Sequence, residues 1–129
     1  MSIKTIGILM PGDMGHGCGK FFLDNKLSVI TALDGRSNRT KKLSESAGIE
    51  NVGSITNIVK YCDLILSILP PEYALEQAEQ VNKVILENKK FITYVDCNAI
   101  SPKTSKKLDK VISSKFCNFI DAGIIGLNP

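Results

Sequence analysis

The chain has 129 residues, 43% of them hydrophobic and 22% charged, with a formal net charge of +3. That balance belongs to one folded, water-soluble domain with a single core, and it excludes disorder, collagen-like repeats and a coiled coil. The charge is too mild to argue for a nucleic-acid partner, and no apolar run approaches the ~18 residues that span a bilayer. The first residues lack the apolar region of a secretory signal. Cys18, Cys62, Cys97 and Cys117 are widely spaced, with no CxxC and no Cys/His cluster. They read as free, mostly buried thiols in a reducing cytoplasm, without a disulfide framework or a metal site.

Lys4 to Met10 is a short apolar run that stops at Pro11-Gly12 and predicts a buried strand. Met14, Cys18, Phe21 and Phe22 then recur at helical spacing, so a helix ending near Asn25 follows. Ser28 to Leu33 is β-branched and apolar, the pattern of a second strand. Ser37 caps a predicted helix to about Ala47, with Gly48 just past its end. A short strand near Ile49 to Val52 and a helix of one or two turns capped by Ser54, through Ile58 and Val59, come next. Asp63 to Leu69 is almost wholly apolar, as in a central parallel strand covered on both faces, and Pro70-Pro71 ends it.

Ala74, Leu75, Ala78, Val81 and Ile85 mark an amphipathic helix to about Asn88. Phe91 to Val95 predicts the next strand. Ser101-Pro102 is an N-cap followed by proline in the first helical position, and Leu108, Val111 and Ile112 form that helix's inner face. Phe116 to Asp121 closes with one more strand. Strands alternating with helices predict a single α/β domain with a right-handed, doubly wound parallel sheet, the Rossmann-type arrangement.

The turn after the first strand, Pro11-Gly12-Asp13-Met14-Gly15, stands where such a fold holds a dinucleotide's pyrophosphate. Small residues are needed there so that backbone amides at a helix N-terminus can approach the anion. Gly12 admits the pyrophosphate and Gly15 lets the helix pack closely on the strand, while Met10 occupies the first position of the usual GxGxxG. The plain alternative is a strand-to-helix turn whose glycines serve packing alone. His16, just inside this helix, reads as a solvent-facing residue with no partner.

The tip of the second strand, about 20 positions past the glycines, chooses between the two nicotinamide dinucleotides. A carboxylate there takes hydrogen bonds from the ribose hydroxyls of NAD. A guanidinium and a hydroxyl hold the 2′-phosphate of NADP. Asp34 offers the first. Arg36, Ser37 and Arg39 offer the second and outnumber it, with Lys41 and Lys42 nearby. NADP is the expected cofactor and NAD the second choice.

Through most of its length the chain resembles the cofactor domain of the phosphogluconate/β-hydroxyacid dehydrogenase family. ILMPGDMG resembles the family's IGLGxMG turn, and GRSNRT falls where many members carry NRT or NRS. SILPPEYAL resembles the strand end that lies along the nicotinamide ribose. DCNAISPKT and FIDAGIIG resemble the D-x-S-T-x-x-P-x-T and F-x-D-A-P-V-S-G-G segments. The branch with PGxMG, DxNAISP and DxxIIG motifs is the most similar.

The resemblance implies that the amides of Asp13 and Met14 meet the pyrophosphate and that Arg36 and Ser37 hold the adenosine ribose. It lays Leu69 and Pro70 along the cofactor and sets Asn98 beside nicotinamide and substrate, though Asn98 is equally readable as a turn residue capping its strand. Gly123 and Ile125 fall in the substrate-proximal segment, where Ile125-Gly126-Leu127 replaces the family's S-G-G. The serine that anchors a substrate carboxylate is therefore missing. The family's general acid/base lysine belongs to a helical second domain, expected only beyond Pro129, and no lysine here lies in a matching motif. Hydride transfer needs a proton donor or acceptor at the reacting oxygen, so the expectation is cofactor binding with no catalytic residue in this chain.

Two functions of different class compete on these residues. One is the NADP-binding half of a dehydrogenase or reductase acting on a small hydroxy acid or a related carbonyl or imine. The other is a free-standing, non-catalytic dinucleotide-binding or redox-sensing module. Lys103, Lys106, Lys107, Lys110 and Lys115 offer the only basis for nucleic-acid binding, and with no aromatic platform beside them they read as a solvated helix face. No membrane partner is expected. Ile124, Ile125 and Leu127 stand near Pro129 with little polar cover, which sets the expectation of a homo-oligomer through this end.

Overall fold

The apolar run after Lys4 forms the first strand, β1 (Thr5–Leu9), in a computed structural model that describes residues 4–9, 23–32, 38–68, 74–97, 102–112 and 116–121. Further along the chain come β2 (Ser28–Thr31), α1 (Asn38–Ala47), β3 (Glu50–Asn51), α2 (Ile55–Tyr61) and β4 (Leu64–Ser67). They are followed by α3 (Ala74–Asn88), β5 (Ile92–Asp96), α4 (Pro102–Ile112) and β6 (Cys117–Asp121). The strands form one six-stranded sheet in the order β3-β2-β1-β4-β5-β6, and every pair is parallel. The doubly wound α/β fold expected from the alternating elements is the fold observed.

Because side chains alternate across a strand, β1, β2, β4 and β5 each feed two separate cores. Ile6, Ile8, Val29, Leu66 and Val95 pack on one face with Ile49 and the partly buried Leu23 and Leu27. Leu9, Ile30, Ile65, Ile92 and Tyr94 pack on the other, beneath α2, α3 and α4. On α3 the buried positions are Ala74, Gln77, Ala78, Val81 and Ile85, the predicted stripe with one polar member added. On α4 they are Leu108 and Ile112, with Lys103, Lys106, Lys107 and Lys110 exposed. A fully buried isoleucine contributes about 1.5–3 kcal/mol relative to exposure, so these two layers hold the sheet.

Local signals act where the sequence places them. Ser54 caps α2, its side chain accepting from the Asn57 amide at 3.3 Å. Gly48 ends α1 at φ +81°, in the left-handed region that glycine enters without penalty. Pro102 is the first residue of α4, as its missing N–H allows. Gly7 is demanded by packing instead: a Cβ there would lie 2.5 Å from Ile58 Cγ2, so its absence lets α2 sit directly on β1.

Several boundaries differ from the sequence reading for physical reasons. Asp63 stands outside β4, because its carboxylate is taken up by the amides of Lys4 and Thr5 at 3.0 and 3.1 Å. Phe91 precedes β5 and is exposed, whereas Asp96 is inside the strand and has no exposed surface. The predicted first helix lies mostly outside the described residues, which include only its end at Leu23 and Asp24. Among the described residues, no helix is long and apolar enough to cross a membrane.

Candidate cofactor-binding site

The sheet order reverses direction between β1 and β4: β2 and β3 lie to one side of that pair, β5 and β6 to the other. Connections leaving two such neighbours diverge, and a crevice opens outside their carboxyl ends, the usual ligand position in open α/β sheets. At that edge the described strands end at Leu9, Thr31, Asn51, Ser67, Asp96 and Asp121.

The predicted site residues follow these ends in sequence. Pro11, Gly12, Asp13, Met14 and Gly15 come after β1, and Arg36 and Ser37 after β2. Leu69 and Pro70 come after β4, Asn98 after β5, and Gly123 and Ile125 after β6. All of these lie outside the described residues, as do His16, Asp34 and Cys18. The segment from Gly123 to Pro129 lies outside them too. The apolar end at Ile124, Ile125 and Leu127, and the second domain expected beyond Pro129, are therefore readings of the sequence alone. Arg39 is the second residue of α1. What the structure brings together is the set of strand ends from which the candidate segments depart.

Those ends are tied to one another. The Thr31 hydroxyl donates to the Ile8 carbonyl at 2.7 Å, a buried bond linking β2 to β1 just before the glycine turn. The Val52 amide donates to the Thr31 carbonyl at 2.8 Å, and the Cys97 amide donates to the Ser67 carbonyl at 3.0 Å. Ser105, in the first turn of α4, donates to Asp121 Oδ2 at 2.9 Å. Sequence reasoning missed Thr31 and Ser105. The available signal for Thr31 was a hydroxyl inside an otherwise apolar strand, which needs a partner once buried.

Behind the ends of β4 and β5 lies a buried polar group that sequence reasoning also missed. Ser67, Tyr94 and Asp96 have no exposed surface, and Gln77 of α3 is nearly as buried. Burial pushes the Tyr94 phenol well above its ordinary range; the Ser67 hydroxyl opposes that shift and the Asp96 carboxylate adds to it. Tyr94 also stacks on Phe119, with ring centroids 6.4 Å apart.

Cys62, Cys97 and Cys117 are buried thiols outside any disulfide, as expected. Burial pushes Cys62 up to about 12 and Cys117 to about 11, so both stay protonated and unreactive at neutral pH. Among the described residues a cavity of about 530 Å³ lies beside β2 and β3, lined by Thr5, Ser28, Ile30, Glu50, Val52 and Tyr61. Its charged lining residue is acidic and would repel a pyrophosphate, so the carboxyl edge remains the candidate site.

A dinucleotide fits this edge on the reversed strand order and on the glycine turn that follows β1 directly in sequence. The comparisons agree. Residues 3–128 match the model of the NAD binding domain of 6-phosphogluconate dehydrogenase. An uncharacterised 28.5 kDa protein of Methanothermus fervidus is 35% identical over 121 residues, which is 94% of this chain and 45% of that protein. A conserved protein of unknown function, described as structurally similar to 3-hydroxyacid dehydrogenases, matches with a TM-score of 0.84 at 25% identity. The match covers 95% of this chain and 44% of that one.

The same fold at 16% identity is found in an imine reductase from Myxococcus stipitatus in complex with NAD+ and a reductive aminase from Aspergillus terreus in complex with NADPH. Their TM-scores are 0.77 and 0.76, over 98% and 97% of this chain and 42% of each of theirs. The chain thus spans less than half the length of these proteins. With its sheet order, its glycine turn and a family match over nearly every residue, this chain belongs to the family of the NAD-binding domain of 6-phosphogluconate dehydrogenase.

Proposed function

We propose that this chain is the NADP(H)-binding part of a dehydrogenase or reductase acting on a small hydroxy acid or a related carbonyl or imine. The observation that carries the proposal is the reversal of strand order between β1 and β4, with the glycine turn beginning directly after β1. When bound, the nicotinamide supplies the hydride acceptor or donor.

In this reading the backbone amides of Gly12 to Gly15 receive the pyrophosphate, where any side chain at Gly12 would intrude. Arg36, Ser37 and Arg39 hold the 2′-phosphate by charge-assisted hydrogen bonds. The neighbours in complex with NAD+ and with NADPH indicate that this fold accepts either dinucleotide. The choice then falls to the residues after β2, where cationic and hydroxyl groups outnumber the single Asp34. Leu69 and Pro70 line the cofactor, and Asn98 offers an amide beside the nicotinamide, close to Gly123 and Ile125 in the substrate-proximal segment.

None of these residues is suited to donate or accept the proton that accompanies hydride transfer. That group belongs to a catalytic part beyond this cofactor-binding unit, and the chain alone binds cofactor with little turnover. Calorimetric titration of the purified chain with NADPH and NADH tests the reading. Saturable binding with NADPH the tighter ligand is expected, and binding of neither would contradict it.

A further inference from the structure

Thr31 closes β2 with a side chain that has no exposed surface. Its hydroxyl donates to the Ile8 carbonyl at 2.7 Å, the ordinary length of a well-formed O–H···O bond. Its own carbonyl accepts from the Val52 amide at 2.8 Å. One residue thus ties the ends of β1 and β2 to the chain leaving β3. The hydroxyl stands in an apolar layer. Alternation sets Thr31 on the face of Val29, which packs with Ile6, Ile8, Leu66 and Val95. The other buried polar side chains among the described residues, Ser67, Gln77 and Asp96, belong to the opposite layer. Ser67 and Asp96 alternate with Leu66 and Val95, and Gln77 is on α3, whose buried stripe packs with Tyr94.

Packing alone does not call for a hydroxyl at this position. A valine has the same branched outline and no polar group to satisfy, whereas a buried hydroxyl costs free energy until it is bonded. What the hydroxyl adds is a cross-link of fixed length between two particular strands. Their carboxyl ends lead into the glycine turn and the basic segment. Only Leu9 and Met10 separate Ile8 from Pro11-Gly12, and only Ala32 and Leu33 separate Thr31 from Asp34. A dinucleotide with its pyrophosphate on the first segment and its adenosine ribose on the second spans both. Its affinity therefore depends on how well the distance between them is set before it arrives.

We propose that Thr31 is a positioning residue for the dinucleotide. Its hydroxyl bond to the Ile8 carbonyl holds the pyrophosphate-binding and ribose-binding segments at the separation the cofactor requires. Thr31 acts through the strand ends, without contact to the ligand. This role rests on the proposed cofactor site, and it applies to NADPH and NADH alike because both span the two segments.

Calorimetric titration of the parent, Thr31→Val and Thr31→Ser with NADPH, NADH and adenosine 2′-phosphate tests it. Adenosine 2′-phosphate meets only the segment after β2, so it reports on that segment without the spacing. Thr31→Val should lower affinity for both dinucleotides by the same factor, roughly three- to tenfold for one lost hydrogen bond. Its affinity for adenosine 2′-phosphate should stay at the parent value. Thr31→Ser keeps the donor and should restore dinucleotide affinity. Thr31→Ala removes the hydroxyl without putting a methyl in its place, and gives the same comparison should the valine disturb the fold. Unchanged dinucleotide affinity in Thr31→Val, an equal loss for adenosine 2′-phosphate, or no recovery in Thr31→Ser would overturn the positioning role and leave a bond that serves the fold alone. Failure of the parent to bind either dinucleotide would instead contradict the proposed function, and this role with it.

Discussion

Arg36 and Ser37 stand just beyond the end of β2, and the proposed cofactor preference turns on them. If their guanidinium and hydroxyl grip a 2′-phosphate, Arg36→Ala removes a charge-assisted contact worth ~1.5–3 kcal/mol, roughly ten- to a hundredfold in affinity. NADPH affinity measured by fluorescence titration should fall by that factor while NADH affinity stays nearly constant. Equal affinity of the unmutated chain for the two cofactors would contradict the preference and return Asp34 to the leading role. Gly12→Val fills the space in which the turn meets the pyrophosphate, so it should abolish binding of both dinucleotides with the circular dichroism spectrum unchanged. These residues were legible because their chemistry is written in identity and order alone. Thr31, Ser67, Gln77 and Tyr94 were not, because their importance comes from burial. Sequence shows a hydroxyl in a strand, but only the register shows which neighbours close over it.

At the scale of elements, β1 carries two tests. Adding a methyl at Gly7 places it 2.5 Å from Ile58 Cγ2, so Gly7→Ala must push α2 off the sheet. Overpacking of this kind costs about 1–3 kcal/mol, and the thermal midpoint should drop by roughly 4–12 °C. An unchanged midpoint would mean that the contact is soft.

The second test is at the start of the strand. The amides of Lys4 and Thr5 hold the Asp63 carboxyl below its ordinary value of 3.8, the Lys4 amide being the larger cause and burial working the other way. A carboxylate whose folded value is depressed adds its full stability above 3.8 and loses it as the pH falls through the lower folded value. Asp63→Ala should therefore cost about 1 kcal/mol at neutral pH, a modest figure because solvent still reaches the site. Denaturant melts of parent and variant should converge on acidification. A gap that persists at low pH would point to packing instead of charge.

The strands themselves were readable from apolar runs closed by Pro and Gly, and the helices from their stripes. Boundaries were less so. Asp63 and Phe91 look like strand residues by position and leave the strand because one is drawn into a cap and the other meets solvent.

For the whole molecule, the sheet order is what turns a list of motifs into a site. Glycine turn, basic segment, Pro70 and Asn98 are far apart in sequence, and what the sheet brings together is the ends of the strands that they follow. The doubly wound parallel sheet was predictable from the alternation of elements and the right-handed rule for parallel crossovers, whereas the strand order came only from the pairing of the strands. The proton donor has no such signature in these residues, so an assay of the purified chain with NADPH and small carbonyl or imine substrates should show binding without turnover. Robust turnover would assign the proton step to a group within this chain. The most direct test of the central claim is a crystal structure of the chain with NADPH. Pyrophosphate density is expected against the amides of Gly12 to Gly15 beyond the ends of β1 and β4, with the 2′-phosphate on Arg36 and Ser37. Cofactor density in the cavity around Glu50 and Tyr61, or none under saturating NADPH, would contradict it.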